Sequence, residues 1–336
     1  MNDLAKQEKL VEQYIHENKI ETAVAALYDL IVKYAQLKNF TKSESLRDKL
    51  MQLDSMALNE IVKSGEIIEE EKAKSLDQTH MQLWASLYNK LNDEESNLLY
   101  YSMTETSFEK DKVIFKQDQI NNTLYFIDQG QLKIVYNKDG AEHPIRTLGP
   151  GDLAGIETFF SISLCSTTLI TVSSVKARLL NSDVLEKWNQ EVPSLEPKLL
   201  DHCMALGKIS DLLANKGFSR RGHKRVKITV KANFQLLDSS ANPIGKAFSG
   251  ELTDISVGGL AFDVKSSQKK TIQILLGRRV NLRFSLPEAI SQPSVIQKGR
   301  IIGANYLLFN DYSVSVKFDS LLHQDLINEI EQYSFK

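Results

Sequence analysis

The sequence predicts an α+β multidomain protein: N-terminal helical hairpins, a jelly-roll β-barrel with helices after it, then a second, six-stranded β-barrel with a terminal helix. Three observations predict this. Apolar residues recur at three- and four-residue spacing in the first third of the chain. The period switches to two from Thr104 to Leu180, and again from Val226 to Ser320. Helical spacing returns between those two β-rich regions. At 336 residues the chain suits two or three domains. With 42% hydrophobic and 25% charged residues it is not a disordered chain. The 41 basic and 43 acidic residues leave a net charge of −2, which excludes a polyanion binder over the whole surface but leaves local patches open. Cys165 and Cys203 cannot build a disulfide framework and suit a reducing compartment. The first residues hold no apolar signal segment, and no run of 18 apolar residues occurs, so a cytoplasmic protein without a membrane span is expected.

The helices come first. Val24, Leu27, Tyr28, Ile31, Val32, Tyr34, Ala35 and Leu37 form an apolar stripe, with no proline before Pro144 and no glycine before Gly65 to break it. Asn39 and Thr41 separate two periodic stretches, which predicts a helical hairpin. Ala25, Tyr34 and Phe40 are similar to one tetratricopeptide unit, but stacked arrays need three or more units, so a plain hairpin is expected. The acidic run 66–74 reads as a solvated helix face or linker. Residues 1–75 are expected to form an α-helical interaction domain that offers a protein partner its surface.

Six short strands are expected next: Lys112–Lys116, Thr123–Ile127, Gln131–Tyr136, His143–Leu148, Thr167–Val172 and Lys176–Leu180. Turn signals at Asp128-Gln-Gly130, Asn137-Lys-Asp-Gly140 and Gly149-Pro-Gly-Asp152 separate them. Helices are expected over Val184–Gln190 and Leu199–Ala214, completing a domain over 76–215. The last domain, 216–336, should carry strands at Val226–Leu236, Lys246–Asp254, Leu260–Val264, Arg279–Ser285, Ile296–Asn305 and Ser313–Phe318, then a helix over Gln324–Tyr333.

The sharpest chemical signal lies between Lys216 and Lys231: Lys216, Arg220, Arg221, Lys224, Arg225, Lys227 and Lys231, with no acid among them. This is either a solvated basic hinge or a phosphate clamp, because guanidinium forks match phosphate oxygens bidentately and stack on flat rings. About thirty residues on stands Asp254-Ile-Ser256-Val-Gly-Gly259. Asp254 and Ser256 are two apart in a strand and so share a face. Gly258-Gly259 allows a tight turn and close backbone approach. Together these residues suit a nucleotide with more than one phosphate.

Arg221-x-x-x-Arg225 followed by Asp254-x-Ser256-x-x-Gly259, on a small barrel with a terminal helix, resembles the PilZ family over roughly 218–336. The resemblance implies a non-catalytic receptor for cyclic di-GMP in bacterial second-messenger signalling. Arg220, Arg221 and Arg225 would hold phosphates and guanine faces, while Asp254, Ser256 and Gly259 would take a guanine edge. Arg220 matches members that bind a stacked pair of ligand molecules. Ligand binding is expected to order the hinge and reorient the domains.

Residues 104–182 resemble a cyclic-nucleotide-binding domain of the catabolite-activator type, through Ile114-Phe115-Lys-Gln-Asp118, Leu124-Tyr-Phe-Ile127-Asp-Gln-Gly130 and Leu148-Gly-Pro-Gly-Asp152-Leu-Ala-Gly155. The pocket departs from the family pattern. Ile156 stands where a ribose-binding Glu is implied, with Glu157 shifted by one, and Cys165-Ser166 stands where an Arg should pair the cyclic phosphate. The barrel is therefore either a degenerate scaffold, with a homodimer through helix 199–214, or an altered pocket in which Arg146 or Arg178 supplies the charge. Dual sensing of a cyclic mononucleotide and cyclic di-GMP stays open. So does a ligand-responsive DNA-binding transcription regulator, although no helix-turn-helix follows the helices and specific DNA binding is not expected. His16, His80, His143, His202, His223 and His323 lack metal-ligand spacing, and no hydrolase or phosphate-loop motif is present, so neither a metal nor catalysis is expected. Arg278-Arg279 reads as an exposed turn or an extension of the anion site.

Overall fold

The computed structural model describes all residues except 1, 208, 219–222, 267, 288–289, 308–310 and 335–336. Four helices open the chain: α1 (Asn2–His16), α2 (Ile20–Gln36), α3 (Phe40–Leu53) and α4 (Leu58–Lys74). Asn39 caps α3 by accepting from the Lys42 N–H. Val11, Leu27, Leu30, Ile31, Leu46, Leu50 and Ile68 fuse the four into one core. The acidic run is the second half of α4, where Lys72 pairs with Glu44 and Glu69, and Lys74 with Glu70 and Glu71. Three short helices follow: α5 (Gln78–Leu83), α6 (Ala85–Tyr88) and α7 (Asp93–Tyr101).

The middle barrel holds β1 (Thr104–Phe108), β2 (Val113–Phe115), β3 (Thr123–Gln129), β4 (Leu132–Lys138), β5 (Ala141–Leu148), β6 (Leu153–Ala154), α8 (Ile156–Phe159), β7 (Ile162–Ser163), β8 (Thr168–Thr171) and β9 (Val175–Asn181). Two four-stranded sheets, β1-β9-β3-β6 and β2-β8-β4-β5, face each other across Ile127, Leu132, Ile134, Leu148, Leu169 and Ala177. This is the expected jelly-roll arrangement. Helices α9 (Val184–Glu191), α10 (Leu195–Ala205) and α11 (Ile209–Asn215) come next. The single helix expected over 199–214 is two helices. Gly207, at φ +83, follows the end of α10, a backbone state that glycine adopts without a Cβ clash.

The last region contains β10 (Val226–Leu237), β11 (Phe248–Ser256), β12 (Gly259–Lys265), α12 (Lys269–Leu275), β13 (Arg279–Ser285), β14 (Ser294–Tyr306), β15 (Asp311–Phe318) and α13 (Gln324–Ser334). The order β13-β10-β11-β12-β15-β14, with β13 also paired to β14, closes a six-stranded antiparallel barrel. Phe234, Phe262 and Leu282 are fully buried in it, Phe234 stacking on Phe262 at 3.7 Å between centroids. Ile327 and Ile330 of α13 and Ile272 of α12 join the same core.

The chain divides into two compact units, Met1–Met103 with Trp188–Leu199, and Thr104–Lys187 with Leu200–Lys336. In the first unit Glu95 is 1% exposed. It accepts from Lys198 Nζ at 2.7 Å, from Ser194 Oγ at 2.6 Å and from the Asn92 N–H at 2.8 Å. Burial alone would raise its pKa, but the hydrogen bonds from Lys198, Ser194 and Asn92 outweigh it and hold the carboxyl below its usual value. A carboxylate with a depressed folded pKa stabilises fully above its unfolded pKa of about 4.3, and that contribution is lost as pH falls through the lower folded value. Thermal melts should therefore show Glu95→Gln most destabilising at neutral pH, the difference from wild type shrinking below about pH 4. A pH-independent difference would refute the linkage.

Candidate ligand site at the rim of the second barrel

Arg225 immediately precedes β10, and β10 pairs with β11 so that Lys227 faces Asp254 and Val226 faces Ile255. Register shifts fall just after Lys227 in β10 and between Leu252 and Asp254 in the β11–β12 ladder. Such irregularities re-aim side chains at a strand end. The result brings the two halves of the sequence signal together. Arg225 Nη1 donates to Asp254 Oδ1 at 2.9 Å and to Oδ2 at 3.1 Å. Both side chains are about one-third exposed, at 33% and 27%.

Ser256 ends β11 and is buried; its hydroxyl donates to the Gly259 carbonyl at 3.1 Å, closing the Ser256–Gly259 hairpin turn. The turn is held from outside as well. Phe318 N–H donates to the Gly258 carbonyl and Leu322 N–H to the Val257 carbonyl, both at 2.9 Å. A Cβ on Gly259 would lie 2.3 Å from the Val316 carbonyl oxygen, so the residue is glycine because β15 passes against it. The His223 ring stands over Gly258, 3.1 Å from where that glycine's Cβ would be. Arg220 and Arg221 lie outside the described residues. Of the other bases, Lys224 pairs with Glu331 of α13, and Lys216 Nζ donates to the Pro144 carbonyl. Arg279 pairs with Asp319 at 2.6 Å and Arg278 Nε donates to the Ile274 carbonyl, which fits an exposed turn.

The middle barrel has its candidate cations already engaged. Arg146 donates to Asp152 at 2.7 Å, fastening the Gly149–Asp152 turn. Arg178, buried, pairs with Glu105 and Asp128. Burial, helped by Glu157, pushes the Cys165 thiol up to about 12, so it is neutral at physiological pH and offers a phosphate no charge. Glu157 itself accepts from the Ser166 hydroxyl.

The two barrels share a strand pairing. β7 pairs with β14 of the second barrel, Ser163 against Gly303 and Ile162 against Ala304. Leu164 N–H donates to the Ile302 carbonyl at 3.0 Å, and Ile162 and Leu164 are buried in the second barrel's core. The alternation Phe160-Ser-Ile-Ser-Leu164 is a strand signal, but nothing local says which sheet takes it. Among the described residues, no group of three or more His, Cys, Asp or Glu is placed to hold a metal ion, and no helix is long and apolar enough to cross a membrane.

Comparison with known proteins agrees with this layout. The family model for the cyclic nucleotide-binding domain matches residues 105–191, and that for the PilZ domain matches residues 219–336. Over 94 residues the chain is 27% identical to the CRP-like cAMP-activated global transcriptional regulator of Mycobacterium tuberculosis, in two strains, covering 28% of this chain and 42% of that one. The chain thus spans less than half the length of the curated relatives it matches. Among solved structures, the N-terminal domain of a Streptomyces coelicolor transcriptional regulator is 24% identical, with 40% of this chain and 94% of that one covered at a TM-score of 0.33. The Thermus thermophilus catabolite activator protein is 21% identical, with 39% and 62% covered at a TM-score of 0.34. The Xanthomonas campestris c-di-GMP responsive global regulator CLP is 17% identical, with 38% and 63% covered, also at 0.34. The chain carries a cyclic-nucleotide-binding domain followed by a PilZ domain.

Proposed function

We propose that this chain, a cyclic-nucleotide-binding domain joined to a PilZ domain, is a non-catalytic receptor and adaptor for cyclic di-GMP. The observation that carries the reading is the meeting of Arg225 with Asp254 beside the Ser256–Gly259 turn, two sequence signals about thirty residues apart gathered at one barrel rim. In the complex, Arg220, Arg221 and Arg225 grip the ligand's phosphates and stack on its guanines. Asp254 accepts from a guanine edge, Ser256 lies alongside, and the Gly259 turn keeps the backbone low enough for the base to approach. The ligand orders the basic hinge. Because β7 stitches the two barrels, the reorientation that follows is a pivot about that strand rather than a free swing. The N-terminal helices then present or hide a surface for a protein partner.

Calorimetry on the full chain tests this. Cyclic di-GMP should bind saturably, with one or two molecules per chain; two would assign Arg220 to the second. Arg225→Ala should weaken affinity by an order of magnitude or more, since a charge-assisted hydrogen bond contributes about 1.5–3 kcal/mol. Unchanged affinity in that variant would sink the site. The match to a cAMP-activated regulator favours one further arm, with cyclic AMP as titrant. Saturable binding there would turn the reading into a dual sensor; the ion pairs of Arg146 and Arg178 argue against it.

A further inference from the structure

We propose that the Arg225–Asp254 ion pair is a latch on the ligand site, so that cyclic di-GMP binds by exchanging an internal salt bridge for its own phosphate and guanine. This deepens the reading above and rests on it. The two residues assigned to opposite ends of the ligand, a phosphate and a guanine edge, occupy each other. One guanidinium nitrogen, Nη1, makes both bonds. A phosphate oxygen aimed at Arg225 meets a group whose charge is already balanced, and a guanine edge aimed at Asp254 meets a carboxylate already accepting from a cation. Lys227 lies opposite Asp254 in the β10–β11 register.

The latch has two measurable consequences. An ion pair of this exposure corresponds to up to about fivefold in an equilibrium constant, and the ligand must overcome that factor to bind. Salt acts on it twice. Added salt weakens the arginine–phosphate attraction but also loosens the internal pair, and the two effects offset each other. The wild-type affinity should therefore depend only shallowly on ionic strength.

Asp254→Asn separates the roles, because the amide keeps an acceptor oxygen for guanine while losing the charge that holds Arg225. Calorimetry with cyclic di-GMP, from low to high salt, compares wild type, Asp254→Asn and Arg225→Ala as full chains. Asp254→Asn is expected to bind about two- to fivefold tighter at low salt and to lose affinity more steeply as salt rises. Equal or weaker binding with an unchanged salt slope, while Arg225→Ala has lost binding, overturns the latch and leaves the receptor reading standing. If Arg225→Ala binds like wild type, both fall. Nitrogen-detected NMR of the Arg225 guanidinium without ligand provides an independent readout. Hindered rotation of its amino groups, released in Asp254→Asn, is expected; free rotation in the wild type overturns the proposal.

Discussion

Gly259→Ala is expected to unpick the second barrel at the Ser256–Gly259 turn. The added methyl would lie 2.3 Å from the Val316 carbonyl oxygen and 3.3 Å from its carbon, and both are backbone. Neither side can yield cheaply. Gly259 is paired with Ser256 on one side and with Lys317 on the other, and its carbonyl holds the Ser256 hydroxyl. Forcing a methyl into packed structure costs about 1–3 kcal/mol and at times more, and a clash with the backbone of β15 belongs at the upper end. A fall in Tm of about 6–12 °C should follow. Hydrogen exchange should localise the damage to β12 and β15, and the proposed cyclic di-GMP binding should weaken as the turn shifts. Gly258→Ala supplies the contrast, because its methyl would meet side chains, the His223 ring at 3.1 Å and Leu321 at 3.7 Å, which can swing away. Equal stability of the Gly259 and Gly258 variants would refute the packing argument.

Leu164→Ala should destabilise the second barrel from a position inside the first. Leu164 is 1% exposed, and its side chain belongs to the core built by Phe234, Phe262, Val314 and Ile301. Removing a buried leucine costs about 2–5 kcal/mol, depending on how far the site can collapse. The amides of β14 around Ile302 and Ala304 should exchange faster, because β7 covers that stretch of the strand edge. Leu169→Ala is the matched control: equally buried, but facing the first barrel's core. It should loosen β4 and β8 and spare β14. If Leu164→Ala instead opens the first barrel alone, β7 is not a working strand of the second.

Much of the fold follows from local pattern. The switch between helical and two-residue periods marks the order helices, barrel, helices, barrel, helix, because each period reports which face of an element is buried. Two kinds of element lie beyond that signal. β6 and β7 are two residues long, too short for any period to register. Helix α12, between β12 and β13, buries only Ile272 of its seven residues and has almost no apolar stripe to read. The break of α10 from α11 turns on Gly207, whose residue type permits the φ of +83 without requiring it.

For the site, the sequence by itself determined the chemistry: guanidinium groups, a carboxylate, a hydroxyl and paired glycines, at spacings two strands could bring together. It also determined what the middle barrel lacks, because neither Ile156 nor Cys165 can supply the carboxylate or the positive charge implied at its position. Only the tertiary structure decided the pairings. That Arg225 meets Asp254 depends on strand register and on two ladder irregularities, and that Gly259 must be glycine depends on β15, more than fifty residues away. That Arg146 and Arg178 are engaged depends on acids brought up by turns and neighbouring strands. The physical reason is the same in each case. Residue type sets what a group can bind, but steric contacts and hydrogen-bonded ion pairs need a partner within a few ångströms, so chain-distant neighbours decide what it does bind.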